Sequence, residues 1–229
     1  MVKGKLIVID GLDGAGKATQ AKLLVERLKK EGKKVVTMDF PQYENNFFGK
    51  LIGECLASKH GDFLHLSPHI ASVLYAGDRF EASVKIRKWL DQGKYVVLDR
   101  YVSANQIHQG GKIKEVKARK KFLQWLNILE YEVFKIPRPD KVIFLDVTPD
   151  VTREMLTLQV NKRDKKSYLG KNAKDIVEES MEYMIQSRVS ALWIARTEKN
   201  WTKINCIKNK TILPREVIAE KIYQAVVVK

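Results

Sequence analysis

A chain of 229 residues with 45% hydrophobic side chains can bury a core of its own, which excludes a disordered or fibrous polymer and leads us to expect one domain spanning 1–229. Its formal charge of +15, from 42 Lys and Arg against 27 Asp and Glu, points to anionic partners, but the lysines are scattered ("LKKEGKK", "KVKARKK", "NKRDKK") rather than interleaved with aromatics, which argues against nucleic acid. Two distant cysteines, Cys55 and Cys206, have no CxxC spacing and no neighbouring His cluster, so neither a metal site nor a disulfide framework is expected of them and both read as small apolar fillers.

The opening "MVKGKLIVIDG" enters an apolar run at once, without the long h-region of a secretory signal, and no apolar stretch approaches bilayer length. A cytoplasmic protein with no membrane partner is expected. The first strand, "KLIVID" (5–10), leads into "GLDGAGKAT" (11–19), which nearly spells the phosphate-cradling G-x-x-x-x-G-K-[ST]. Gly11, Gly14 and Gly16, with Ala15 between, let backbone N–H groups approach phosphates, and Lys17 reaches the terminal ones. The hydroxyl position is held by Ala18, and Thr19 follows. The amphipathic helix "ATQAKLLVERLKK" is closed by Gly32, and "KKVVTM" (33–38) reads as the second strand.

Ser67 and Pro68 open a long helix reaching Leu90, on which Tyr75 and Arg79 lie one turn apart. A ring that stacks on a base beside a guanidinium that donates to its edge makes a nucleobase pocket, although the same pair also serves as surface packing. "KYVVLD" (94–99) ends in Asp99 and Arg100. At the carboxyl end of a parallel strand an aspartate can hold Mg²⁺ through water and an arginine can clamp a second phosphate, with an ordinary salt bridge as the alternative. "KVIFLD" (141–146) is the fourth strand, Thr148 and Pro149 open another helix, and "WTKINC" (201–206) is the fifth strand. Between them "NKRDKKSYLGKNAKD" has no apolar periodicity and reads as a lid, about 161–174. Short strands alternating with helices predict an α/β fold, a five-stranded parallel sheet flanked by helices.

These motifs in this order resemble the thymidylate kinase family of P-loop nucleoside monophosphate kinases. The resemblance runs nearly end to end through "IDGLDGAGKATQ", "FPQYENNFFGKLIGECL", "LYAGDRFE", "VVLDRYVSANQIHQGG", "PDKVIFLDVTPDV" and "KDIVEESMEYM". It implies ATP-dependent phosphorylation of dTMP, with Mg²⁺, by a homodimer whose lid closes over ATP. Carried over by position, Asp13 binds the sugar 3′-hydroxyl, Lys17 the ATP phosphates and Arg100 the dTMP phosphate, while Asp99 organises Mg²⁺. Tyr75 stacks on the base, Arg79 reads the thymine edge, Gln109 contacts the base, and Phe40 and Pro41 shape the pocket near the deoxyribose and methyl group.

Departures from the pattern carry consequences of their own. Ala18 lacks the Mg²⁺-binding hydroxyl; His108, expected to line the substrate pocket beside Gln109, stands where relatives commonly have Tyr or Phe; and Tyr43 lies near the usual place of a phosphate-binding arginine or glycine turn. Gly14 replaces the loop arginine of some relatives, so the catalytic guanidinium must come from the lid region: Arg163, with Arg153 as fallback. Ser180 replaces an acidic residue after the lid. The competing expectations are a kinase for another deoxynucleoside monophosphate and a weakened kinase fold acting as a basic nucleic-acid-binding or regulatory module.

Overall fold

Strands that are apolar at every position need cover on both faces. The structure, a computed structural model, describes residues 4–63, 65–160 and 181–227. In it β1 (Lys5–Gly11), β2 (Val35–Asp39), β3 (Tyr95–Asp99), β4 (Lys141–Asp146) and β5 (Trp201–Asn205) form one sheet in the order β2-β3-β1-β4-β5, with every pairing parallel. The period of two divides the core. Leu6 and Val8 of β1 join Val96, Leu98 and Phe144 on one face; Ile7 and Ile9 join Val97, Ile143 and Leu145 on the other.

The first face is covered by α3 (Pro68–Asp91), α4 (Val102–Gly111), α5 (Val116–Ile128) and α7 (Met181–Thr197), through Ile86, Ile107, Phe122, Leu126, Ala191 and Ile194. The second is covered by α1 (Lys17–Lys30) and α8 (Arg215–Val227), through Leu24, Leu28, Ile218 and Ile222. α2 (Phe47–Leu56) packs on α3, and α6 (Pro149–Val160) follows β4. The Ser67 hydroxyl accepts from Ile70 N at 3.3 Å at the start of α3, with Pro68 in the first turn. Gly32, at φ 76°, closes α1 as its N–H reaches Lys29 O while Lys33 N reaches Leu28 O, both 3.0 Å.

The expected strands and helices are present with shifted ends. The second strand starts at Val35, where pairing with Tyr95 begins, because Lys33 and Lys34 still belong to the turn after Gly32. The fifth ends at Asn205 rather than Cys206, and α3 runs one residue past Leu90. The helices α2, α4, α5 and α8 were not among those read from the sequence, and neither were two smaller features. A small antiparallel pair, β6 (Ile207–Lys208) and β7 (Thr211–Ile212), turns on Asn209 and Lys210, both left-handed at φ 51° and 61°. After α5 the helix widens into a single π turn, Leu129–Val133, closed by Phe134 N to Leu129 O at 2.9 Å.

The chain steps from β1 out to β2, returns to β3 between them, and then crosses to β4 and β5 on the other side. Winding reverses at β1, which opens a crevice beyond the carboxyl ends of the strands. The site lies there.

Candidate active site

β1 passes directly into the glycine loop. Gly14 (φ 84°) and Gly16 (φ 85°) occupy the left-handed region that only glycine adopts without strain, and a Cβ on Gly11 would lie 2.9 Å from Leu145 O. α1 begins at Lys17 with no side-chain cap, and its first helical bond runs from Gln20 N to Gly16 O, 3.0 Å. The amides of Lys17, Ala18 and Thr19 therefore precede the helical ladder at the positive end of the dipole, an anion site made of backbone. Lys17 is buried; its Nζ donates to Leu12 O at 2.9 Å and Gly11 O at 3.2 Å and lies 3.4 Å from Asp13 Oδ1. Ala15 is buried under the loop, whereas Ala18 and Thr19 face outward in the first helical turn. Gly14 has a specific neighbour: a Cβ there would lie 2.7 Å from Thr152 O and 2.9 Å from Leu156 Cγ, so α6 buttresses the loop and an arginine does not fit in this conformation.

At the end of β3, Phe40 N donates to Asp99 O and Arg100 N to Ile9 O, both 3.0 Å, which draws the ends of β1, β2 and β3 together. Asp99 is pushed up to about 6, mainly by burial, with Asp10 and Asp39 adding repulsion and Lys17 opposing it. Its Oδ1 is buried without a hydrogen-bond partner. Asp10 is committed elsewhere, accepting from Ser103 Oγ at 2.6 Å and Gly11 N at 2.8 Å. Arg100 takes a left-handed backbone (φ 66°) and forms an ion pair with Asp13 Oδ1. Its Nη1 donates to His108 Nε2 at 3.3 Å. Burial and the cations Arg100, Lys17 and Lys112 hold the His108 imidazole well below its ordinary range, so it is neutral, accepts at Nε2 and carries its proton on Nδ1. That Nδ1 is also a buried atom without a partner, as is Gln109 Oε1.

Beside Arg100 opens a cavity of about 270 Å³. Asp13, Phe40, Pro41, Tyr75, Arg79, Arg100, His108 and Gln109, the eight positions expected to hold substrate, all line it. Tyr75 packs against Phe63 with centroids 5.9 Å apart, and Phe40 against Tyr101 at 5.7 Å. The segment after β2 is fastened to α3 by Asp78, whose carboxylate accepts from Gln42 N at 3.1 Å and Asn46 Nδ2 at 2.8 Å. Arg79 is not a surface side chain. It is 2% exposed and forms a bidentate pair with Glu130 of the π turn, through Nε at 3.1 Å and through Nη2. Its Nη1 donates to Tyr101 O at 3.3 Å.

Sequence reasoning missed Asn105, Lys112, Phe63 and Tyr183 as lining residues. Asn105 and Lys112 carry a signal, since they lie three or four residues either side of His108 along the helix direction. Phe63 and Tyr183 come from distant elements; Tyr183 of α7 stacks on His108 with centroids 5.8 Å apart and planes at 11°. Tyr43 lines the same cavity. Arg153 is exposed on α6, while Arg163, Ser180 and the expected lid lie outside the described residues. Among the described residues no group of three or more His, Cys, Asp or Glu forms a metal cage, and no helix is long and apolar enough to cross a membrane.

A backbone anion cradle with its lysine, an aspartate at the neighbouring strand end and an aromatic-lined cavity behind an arginine define a class: P-loop phosphotransferases of the nucleoside monophosphate kinase type. The family model described as thymidylate kinase matches residues 9–216. Similar proteins include a thymidylate kinase of Mycobacterium tuberculosis, 29% identical over 86% of this chain and 87% of its own length. A probable thymidylate kinase of Thermococcus onnurineus is 40% identical over 62% and 65%, and a thymidylate kinase of Caldanaerobacter subterraneus 31% identical over 65% and 67%. The chain belongs to the thymidylate kinase family.

Proposed function

We propose that the protein phosphorylates dTMP to dTDP with ATP, in the cytoplasm and as a homodimer. The observation that carries this reading is the cavity beside Arg100, lined by all eight expected substrate residues and adjoining the phosphate loop. A dTMP phosphate oxygen attacks the γ-phosphorus in line, the bond from phosphorus to the β,γ-bridging oxygen breaks, and ADP leaves. The amides of the loop and Lys17 offset charge on the ATP phosphates, and Arg100 positions the dTMP phosphate. Asp13 holds Arg100 and approaches Lys17 with Oδ1, which leaves Oδ2 for the sugar 3′-hydroxyl. Tyr75 and Phe40 flank the base, and Gln109 offers its unpartnered Oε1.

The residues fit Mg²⁺: Asp99 presents an unpartnered carboxylate oxygen where the ATP phosphates would lie, and the rest of the coordination falls to phosphate oxygens and water. The ion, if bound there, would offset negative charge on the ATP phosphates. Arg163 is assigned as the lid guanidinium; Arg163→Ala is expected to lower kcat on the order of 10²-fold with both KM values nearly unchanged, and the same loss in Arg153→Ala alone would transfer the role. Support for a homodimer comes from α3, where Val73, Phe80 and Val84 recur on one exposed face.

The test is ADP release from ATP and Mg²⁺ with dTMP, dUMP, dCMP, dGMP and dAMP in parallel. The expected result is kcat/KM for dTMP at least tenfold above each of the others. Preference for a different monophosphate, or no nucleotide-dependent ADP, would refute it.

A further inference from the structure

Three elements converge on one guanidinium. Arg79 projects from α3, Tyr101 O comes from the turn after β3, and Glu130 comes from the π turn, with Glu130 fully buried. The guanidinium has five N–H groups in a planar fork. Glu130 takes the Nε hydrogen and one on Nη2, and Tyr101 O takes one on Nη1. Two hydrogens remain, one on each terminal nitrogen, and Arg79 lines the cavity. The clamp is itself held: Ile136 N donates to Glu130 O at 3.1 Å, Arg87 of α3 donates to Lys135 O, and Phe80 packs on Phe134 at 5.1 Å.

We propose that Glu130 is the positioning residue that sets pyrimidine choice, by holding Arg79 so that it meets the base edge with donors only. A pyrimidine with a 4-oxo group offers an acceptor there. One with a 4-amino group offers a donor and leaves buried N–H groups opposed. This rests on the reading of Arg79 as the base-contacting residue. The placement is built into the backbone: the widened turn interrupts the register of α5 at the residue that must point inward, and such turns concentrate at functional sites. Tyr101 O adds a second restraint. Arg79 can neither rotate about its Nε axis nor withdraw without breaking charge-assisted bonds.

The experiment measures kcat/KM for dTMP and dCMP, with KM for ATP, in Glu130→Gln, Glu130→Asp and Arg79→Lys. Glutamine opposes one Arg79 N–H with its own amide, so Glu130→Gln is expected to raise KM for dTMP about tenfold, leave KM for ATP within twofold, and shrink the dTMP to dCMP ratio about tenfold. Glu130→Asp keeps the carboxylate and is expected to recover part of that ratio. If Glu130→Gln does not accumulate as folded protein, the Arg79→Met, Glu130→Met double variant replaces the buried pair by apolar volume, and it is expected to fold and to lose discrimination. A fall in kcat with KM for dTMP and the ratio unchanged would reduce Glu130 to a structural group and overturn the proposal. Loss of the ratio in Arg79→Lys but not in Glu130→Gln would also overturn it while sparing the reading of Arg79; retention in both would remove Arg79 from base recognition.

Discussion

Ala18 sits in the first exposed turn of α1, where its family motif places a hydroxyl on the metal. One residue further along a helix turns the side chain by about 100°, so Thr19 cannot replace it. Water can fill one coordination position of Mg²⁺, which sets the cost at roughly 1–2 kcal/mol, about five- to thirtyfold. Ala18→Ser is therefore expected to lower the Mg²⁺ concentration for half-maximal rate and leave dTMP affinity unchanged; superimposable Mg²⁺ titrations would show that position 18 does not face the metal. Asp99 gives a second expectation at this scale. Its carboxyl is raised in the folded protein to about 6, so between pH 4 and 6 the native state binds the proton more tightly than the unfolded chain and stability falls as pH rises. The loss is on the order of 2–3 kcal/mol and is complete above pH 7. Asp99→Asn does not incur it. Melting curves of the two proteins should coincide near pH 4 and separate upward in pH, with the variant more stable but less active; parallel profiles would contradict the assignment.

At the scale of elements, α4 and α7 touch through small residues: a Cβ on Gly110 would lie 2.9 Å from Ser190 Oγ, and one on Gly111 2.8 Å from the Ser187 backbone. Helix propensity favours Ala over Gly by about 1 kcal/mol, whereas forcing two packed backbones apart costs about 1–3 kcal/mol. Packing wins. Gly111→Ala is expected to destabilise the protein and, because Tyr183 of α7 stacks on His108 of α4, to raise KM for dTMP more than KM for ATP. A stabilised variant with unaltered kinetics would place the helices further apart than 2.8 Å implies. β1, β3 and β4 were legible in the sequence because each has an unbroken apolar run, as a doubly covered strand must, and ends at Gly or Asp; the edge strands β2 and β5 carry Thr37, Thr202 and Lys203 among their apolar positions and were legible as short β-branched and aromatic runs. The π turn was not legible, since one extra residue in a helical turn leaves no mark on hydrophobic periodicity, and β6 and β7 are too short for alternation to register. Within the site, Asp13, Lys17, Asp99 and Arg100 were readable because they sit within a few residues of a strand end. Glu130, Tyr183 and Phe63 reach the cavity or its arginine only through tertiary packing, and no local pattern announces them.

The whole molecule carries an exposed apolar face on α3 within a surface of strongly positive charge. Val84 is 72% exposed, and Phe47 and Val133 are 69% and 63% exposed. If α3 meets a second copy, Val84→Glu should convert a dimer to a monomer in sedimentation equilibrium at micromolar concentration, and a monomeric parent protein would refute the homodimer. With a formal charge of +15 on each copy, a dimer would form against mutual repulsion, so the proposed association is expected to strengthen with salt. The Arg79–Glu130 pair has a consequence for how such a molecule can change over generations. Removing either partner alone strands a buried charge at about 3–5 kcal/mol, against a total stability of about 5–15 kcal/mol. Replacing both with apolar residues is close to neutral. Single-step mutational paths away from this pair therefore pass through unstable intermediates, and lineages that inherit it are held to it together, two codons behaving as one heritable unit.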